Sequence, residues 1–529
     1  MSLTKLSYAM IQGAPVNVLD FGAVGDGVTD DTIAIQAAMN SLSATGGKIE
    51  FPIGTYLVSG TLAASANTII VGNGSTISAA TSWSTTGWHI INAKGSLQID
   101  NLNITVAAVA RKTSWKAVNC DIAVYTMPAN TRIVVRNCVF SNIDIGVYGD
   151  GGSSRLISYY EVSGCYITIN TLGTGGSTSV RPTVNINNSV LAVIKNNPML
   201  DASDRTNNVN NVYCIGTQMV ECVGNYLYSG VHKFVSSSTN GVDKVAFRSN
   251  YVKGTPWLFI GADTNPLKCA EVTENFFDTP VTDLASYGCV LFGSYSSAVV
   301  GSDSIGSMRI SGNYFLNVPY NVYYIALTAS NSIGDVNIVG NRYSNTSTGS
   351  SGNYAVVNYN VAGSAYRVLQ CANEDVYGNS NTKSYLTSGN PFSNTLLTNI
   401  NETGITGTKT GFTSGSFTAT LTGCTTSPTT TIYYTIRDSV VVMHIASINA
   451  TSNSINCTLT GLPSILQPNV LTYFCPVAIS DNSAYSNNAQ ASIAAGSGTI
   501  TLYKNGSLNG FTNSGTKGIY ASTITYMLA

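Results

Sequence analysis

The sequence is poor in charge. Only 10% of its 529 residues are Asp, Glu, Lys or Arg, and the formal net charge is -1. No run of lysines or arginines makes a basic patch, so nucleic acid is not an expected partner. Histidine is scarcer still, at three residues (His89, His232 and His444), and neither an HExxH helix nor a Gly-x-Ser-x-Gly elbow occurs. Zinc hydrolysis and serine-hydrolase chemistry are therefore poor expectations. No stretch approaches eighteen apolar residues and the opening MSLTKLSYAM has no apolar signal core, so neither membrane insertion nor secretion by a signal peptide is expected. The eleven cysteines form no CxxC pair, and several sit at apolar strand positions such as Cys222. They read as reduced core residues, with no metal site and no cofactor.

What is abundant is glycine, tyrosine and asparagine among apolar residues: 50 Gly, 30 Tyr and 44% hydrophobic side chains. That composition predicts an all-β chain rich in turns. Residues 16–39, VNVLDFGAVGDGVTDDTIAIQAAM, have glycines off the dinucleotide spacing, and Asp26, Asp30 and Asp31 lack the ligand alternation of a calcium loop. Asp30 reads instead as an N-cap for a helix over about 31–43, its apolar residues Ile33, Ile35, Ala37, Ala38, Met39 and Leu42 largely buried. Strands carrying Ile49, Phe51, Tyr56 and Val58 follow, joined by a Pro-Gly turn.

A repeat organises the chain. VECVGNYLYS, VAFRSNYVKG, AEVTENFFDT, MRISGNYFLN and VNIVGNRYSN share alternating apolar residues, then Asn225, Asn250, Asn275, Asn313 or Asn341, then an aromatic ring. Fainter copies are centred on Asn73, Asn101, Cys138, Cys165, Asn196 and Asn373. Units of roughly 25–30 residues built of short strands predict a solenoid, in which stacked asparagines satisfy one another and the N-terminal helix caps an open end.

The two-residue period then sorts side chains by face. Positions three and five before each Asn point inward and position four points outward, giving an outward column of Glu161, Glu221, Ala246, Glu271, Arg309 and Asn337. Hydrolysis of a glycosidic bond needs two carboxylates, and Glu221 and Glu271, two coils apart, are the first candidates; Asp243 and Asp278, with Asp263, are reserves. The plain alternative for Glu271 is a surface pair with Arg309. Lys244, Arg248 and Thr273 border the column, and Glu274 adjoins a ladder Asn. On another strand Trp257 and Phe259, with His232 at the matching offset, are candidates to stack on sugars, although one alternating set of that strand must be core. Tyr287, Tyr295 and Asp303 fall in the longest interval, which reads as a loop walling the groove.

VLDFGAVGDGVTDDTIAIQAAM followed by GGKIEFPIGTYLVS resembles the opening of the pectate-lyase-like right-handed parallel β-helix family, above all bacteriophage tailspikes and capsule depolymerases. The resemblance implies a neck at 1–18, a polysaccharide-binding and catalytic β-helix at 19–380, and a homotrimer acting on bacterial capsular polysaccharide or another surface glycan. It places the protein in the virion, at the phage tail, and leaves room for a tail anchor ahead of residue 1. Residues 381–409 read as a polar linker, and 410–529, with longer alternating strands and the Asn505-Gly506 turn, as an antiparallel β-sandwich. That part resembles C-terminal domains of tail fibres, which implies trimerisation or glycan binding. The expected reaction is hydrolysis; a polysaccharide lyase using Lys244, His232 or Arg309 as base and a non-catalytic receptor-binding fibre are the alternatives.

Overall fold

The computed structural model describes residues 14–528 apart from 82, 84–88, 107–115, 122–123, 170–181, 203–209, 255–256, 263–264, 279–289, 295–304, 318–322, 328–332, 347–356, 362–367, 379–394, 404–411 and 438–439. The expected neck lies mostly outside these residues. The chain divides into two compact units, Met1–Gly407 and Thr408–Ala529.

In the first unit each turn of the chain lays one short strand into each of three parallel sheets. The first sheet includes Thr131–Arg136, Ile157–Ser163, Leu191–Lys195, Met219–Val223, Val242–Arg248, Leu267–Thr273 and Ile305–Ser311, each paired in parallel with the next. After a short turn the chain enters the second sheet, as in Tyr226–Tyr228, Tyr251–Lys253 and Phe276–Asp278. The third sheet has eleven strands, from Leu62–Ala64 to Val357–Val361. This is a parallel β-helix, and apolar alternation explains it. Val220, Cys222, Val245, Phe247, Ala270 and Val272 all point inward and are buried. Inward rings stack coil upon coil, with Phe277 and Phe315 4.7 Å apart and their planes 3° from parallel.

The asparagines form the ladder that the repeat predicts. In each step the backbone N and Nδ2 of one Asn donate to Oδ1 of the next, from Asn197 through Asn225, Asn250, Asn275 and Asn313 to Asn341, at 2.7–3.1 Å. All six are buried. Cys165 extends the column, its backbone N donating to Asn197 Oδ1. The fainter copies at Asn101 and Asn196 need a correction of one residue, whereas those centred on Cys138 and Cys165 do not. Asn101, Asn137 and Asn196 have φ of +53°, +52° and +52°, as does Glu274 at +58°, so they occupy the left-handed turn position just before the ladder. Asn tolerates that conformation and Gly adopts it freely, as Gly224 and Gly312 do here. Glu274 is thus a turn residue, bonded to the Ser249 hydroxyl.

The cap is the helix Thr32–Ser41. It buries Ile35, Ala38 and Met39, while Ile33 is 85% exposed and Ala37 also faces out, so the buried face is narrower than composition suggests. The N-cap position belongs to Asp31. Its carboxylate turns away to accept from Val24 N and Gly25 N, and Asp30 accepts from Thr32 N. At the other end Thr395–Thr403 pairs in parallel with Val368–Gly378, so the stack continues into the stretch expected to be a linker.

The second unit is an antiparallel sheet of ten strands around its own core of Leu421, Ile432, Met443, Leu459, Ile479, Ile500 and Ile524. Lys517 is buried there, its ammonium donating to the carbonyls of Ser454 (2.7 Å) and Asn456. Nine cysteines of the two units whose side chains are described are free thiols, and eight of them are buried.

Candidate functional site

Register pairing fixes the outward column of the first sheet: Val134, Glu161, Val193, Glu221, Ala246, Glu271, Arg309 and Asn337, one per coil. Glu221 and Glu271 flank Ala246, which puts their Cα atoms about 10 Å apart at the usual strand spacing. Glu271 is ion-paired with Lys244 at 2.8 Å, the partner lying one strand before it, whereas Arg309 stands exposed in the next strand. Arg248 is half-buried beside Thr273 in the neighbouring outward column, and its Nε is buried without a partner. Glu221, Lys244, Arg248, Glu271 and Arg309 therefore share one outward face across four consecutive strands.

Glu161, next to Val134 in this column, is in a different state. It is 1% exposed and accepts from Arg136 Nε and Nη2 (3.1 and 2.8 Å), Tyr159 Oη (2.6 Å) and Ser163 Oγ (2.9 Å), with Lys195 Nζ 3.3 Å away. Burial pushes its pKa up, and the bonds from Arg136, Tyr159 and Ser163 outweigh that and hold it at about 2. With its lone pairs taken, this carboxylate is an anchor for the sheet rather than a proton carrier.

The other sequence candidates fall elsewhere. Asp243 is tied to Lys268 Nζ and Gln218 Nε2, both at 2.7 Å, which lowers its pKa. Asp278 lies in the second sheet, accepting from Tyr251 Oη at 3.4 Å. His232 is a correction: it is fully buried, packs 6.1 Å from Phe247, and neither ring nitrogen has a partner. Burial lowers its pKa to about 3, so it is a neutral core residue that cannot line a groove. Its strand neighbour is Leu258; Trp257 pairs with Val231 and Phe259 with Lys233. The matching offset is thus 26 residues, one more than the ladder interval there. Phe259 is outward but only 8% exposed. The Trp257 side chain, Tyr287, Tyr295, Asp263 and Asp303 lie outside the described residues.

A second polar column, absent from the expectations, lies on the outward side of the third sheet, with Asn92, Asn119 and Asn185 buried. It runs Asn92, Asn119, Tyr148, Asn185, Tyr213 and Lys233. Asn119 Nδ2 donates to Asn92 Oδ1 at 2.9 Å, and Lys116 Nζ donates to Asn119 Oδ1 at 3.0 Å while lying 3.5 Å from the Tyr148 ring centre. Burial of Lys116 lowers its pKa, opposed by Asp121 and Asp150. Burial and the Lys116 charge hold His89 at about 4. The signal for this column in the sequence was polar residues alternating with Val118, Cys120, Val184 and Ile186.

Residues 15–121 match a family model described as rhamnogalacturonase A/epimerase, pectate lyase-like. A mannuronan C5-epimerase of Azotobacter vinelandii is 60% identical over 45 residues, covering 8% of this chain and 4% of that enzyme. Alginate lyase 7 of the same organism is 54% identical over 56 residues, 10% of this chain and 6% of the enzyme. The chain therefore spans only a small part of the curated relatives it matches. Among solved structures, the Dettilon tailspike protein aligns over 96% of this chain and 94% of its own, at 14% identity and a TM-score of 0.44. The likeness to the pectate-lyase-like family is confined to residues 15–121, and the fold is a parallel β-helix followed in sequence by an antiparallel β unit.

Proposed function

We propose that this protein is a tailspike depolymerase that hydrolyses glycosidic bonds of a bacterial capsular or other surface polysaccharide. The observation that carries the proposal is the outward pair Glu221 and Glu271 on either side of Ala246. At about 10 Å between Cα atoms, side-chain rotation reaches the roughly 6.5–9.5 Å carboxyl separation that lets a water stand beside the scissile bond in an inverting hydrolase. Glu271, ion-paired with Lys244, is placed to activate that water, and Glu221 to protonate the leaving oxygen. Arg248 and Arg309 supply donors for sugar hydroxyls on the same face.

Exposed apolar residues near the capped end, Val28 (79%), Ile33 (85%) and Ile53 (87%), support assembly as a homotrimer, since such side chains gain by burial between subunits. Elimination is the rival chemistry. Of its three candidate bases, His232 is in the core and Lys244 is ion-paired, so an elimination would fall to Arg309, exposed on the same face. The test is incubation of the full chain with a panel of purified capsular polysaccharides, followed by product mass spectrometry. Products that have gained a water support the proposal; unsaturated products overturn it in favour of a lyase, and intact polymer throughout overturns it in favour of a binding fibre.

A further inference from the structure

Positive charge is concentrated on the outward face of the first sheet. The seven strands from Thr131–Arg136 to Ile305–Ser311 hold seven Lys and Arg against four Asp and Glu, in a chain that has 25 of the first kind and 26 of the second. Ion pairs account for part of this excess: Glu161 takes Arg136 and Lys195, Asp243 takes Lys268, and Glu271 takes Lys244. Arg132 lies over the Tyr159 ring, 4.5 Å from its centre. Arg248 and Arg309 remain, and neither has a carboxylate partner among the described residues.

The two arginines differ. Arg309 is exposed, one coil beyond Glu271 in the same column. Arg248 is half-buried and stands two residues further along its strand than Ala246, so its Cα lies about 6.6 Å to the side of the line from Glu221 to Glu271. Its Nε is covered by the chain without a partner, while Nη1 and Nη2 are not covered. A guanidinium with a packed stem and a free outer edge has little rotamer freedom left to lose on binding. Its planar pair of donors matches a carboxylate, which accepts two parallel N–H bonds. Glu274, at the turn after Thr273, does not fill this role, since it accepts from the Ser249 hydroxyl at 3.2 Å.

We propose that Arg248 selects the substrate: through Nη1 and Nη2 it binds a carboxylate carried by the sugar at the scissile bond or by its immediate neighbour, so the polymer taken by this face is an acidic polysaccharide. This rests on the reading of the face as a polysaccharide-cleaving site and adds its substrate class. Arg309, one coil further on, attracts the same negatively charged chain. A uronate ring and a pyruvate acetal on a hexose both present the carboxylate that the fork requires. Nucleic acid is disfavoured, because four carboxylates stand among the cations and would meet its unbroken line of phosphates.

The test is binding of the full chain to immobilised purified capsular polysaccharides, one set carboxylate-bearing and one neutral, by biolayer interferometry, with the products analysed in parallel. Binding should be confined to the carboxylate-bearing set. Reduction of uronates with carbodiimide and borohydride, or removal of pyruvate acetals by mild acid, should weaken it at least about tenfold, and the treatment that does so identifies the group Arg248 holds. Arg248→Gln should weaken binding of the native polymer at least about tenfold, as for loss of paired charge-assisted hydrogen bonds, and leave binding of the treated polymer unchanged. Arg248→Lys, which keeps the charge but not the fork, should not restore it. The thermal midpoint should stay the same in both variants, because Arg248 makes no internal bond. Binding of no polymer, binding of a neutral polymer or of single-stranded DNA as tight as that of the best acidic one, or undiminished binding by Arg248→Gln would each overturn the proposal. An acidic polymer held through Arg248 but left uncut, or cut to unsaturated products, upholds the role of Arg248 and contradicts hydrolysis alone.

Discussion

The side-chain amide of Asn250 donates to Oδ1 of Asn275 at 3.0 Å while its backbone N donates to the same oxygen at 2.9 Å. Asn275 in turn gives Nδ2 to Phe247 O and to Asn313 Oδ1, both at 2.9 Å. Asn275→Leu therefore strands the Asn250 donors and the Phe247 carbonyl of that same coil, and takes from Asn313 Oδ1 one of its two donors, the backbone N of residue 275 remaining. The expected loss is about 3 kcal/mol or more, from several unsatisfied groups at about 1–3 kcal/mol each. Equilibrium urea unfolding of the full chain measures it.

His232 gives the protein a pH dependence of known sign. Its folded pKa, about 3, lies below the ordinary 6.5, so the unfolded chain binds the extra proton and stability falls as pH drops below about 6.5. His232→Leu removes this term and two unpartnered nitrogens with it. The stability advantage of the variant over the parent should widen by about 2 kcal/mol between pH 7.5 and pH 5, at roughly 1.4 kcal/mol per unit below 6.5. His89 titrates in the same direction in both proteins and cancels. A constant gap across that range would contradict the burial described.

The ladder and the Glu221–Ala246–Glu271 column were legible in the sequence because the period of two is rigid and the asparagines mark the same turn in each coil. The misplacements have equally local causes. Asn101 and Asn196 were read as ladder members because Asn serves both the ladder and the left-handed position before it. His232 was set beside Trp257 because the interval between asparagines was carried over to the third sheet, where the coil adds one residue. Asn185 stayed hidden for a similar reason, since the turns between the ladder and the third sheet vary in length and blur the outward column. Glu161 was visible as an outward glutamate, but the closeness of Arg136 and Lys195, which decides its role, depends on three strands stacking.

Those contacts at Glu161 are testable. Arg136→Met leaves a buried carboxylate with fewer donors and should cost about 1–3 kcal/mol at pH 7, the half-exposed Arg136 moderating the effect. The folded pKa of Glu161 is depressed from 4.5 to about 2, so its contribution is present above about 4.5 and is lost as pH falls toward 2. The difference between parent and variant should shrink accordingly in unfolding measured at pH 7, 4 and 3.

Assembly is read most simply by sedimentation equilibrium. The full chain should behave as a species of three times its 55.5 kDa mass. Val28→Lys with Ile53→Lys, at exposed apolar positions, should shift it toward monomer without lowering monomer stability by more than about 0.5 kcal/mol. A stable monomer of the parent at micromolar concentration would contradict the trimer.

The most direct measurement is turnover of a susceptible capsular polysaccharide by the parent, Glu221→Gln and Glu271→Gln, with binding followed in parallel. Gln keeps the size and hydrogen bonding of Glu but carries no transferable proton. Each single variant should lose at least about a hundredfold in cleavage, as expected for removal of a general acid or base, and should still bind the polymer. Near-parental turnover in both variants would contradict the assignment of Glu221 and Glu271 and send the search for the reacting carboxylates to another face of the β-helix.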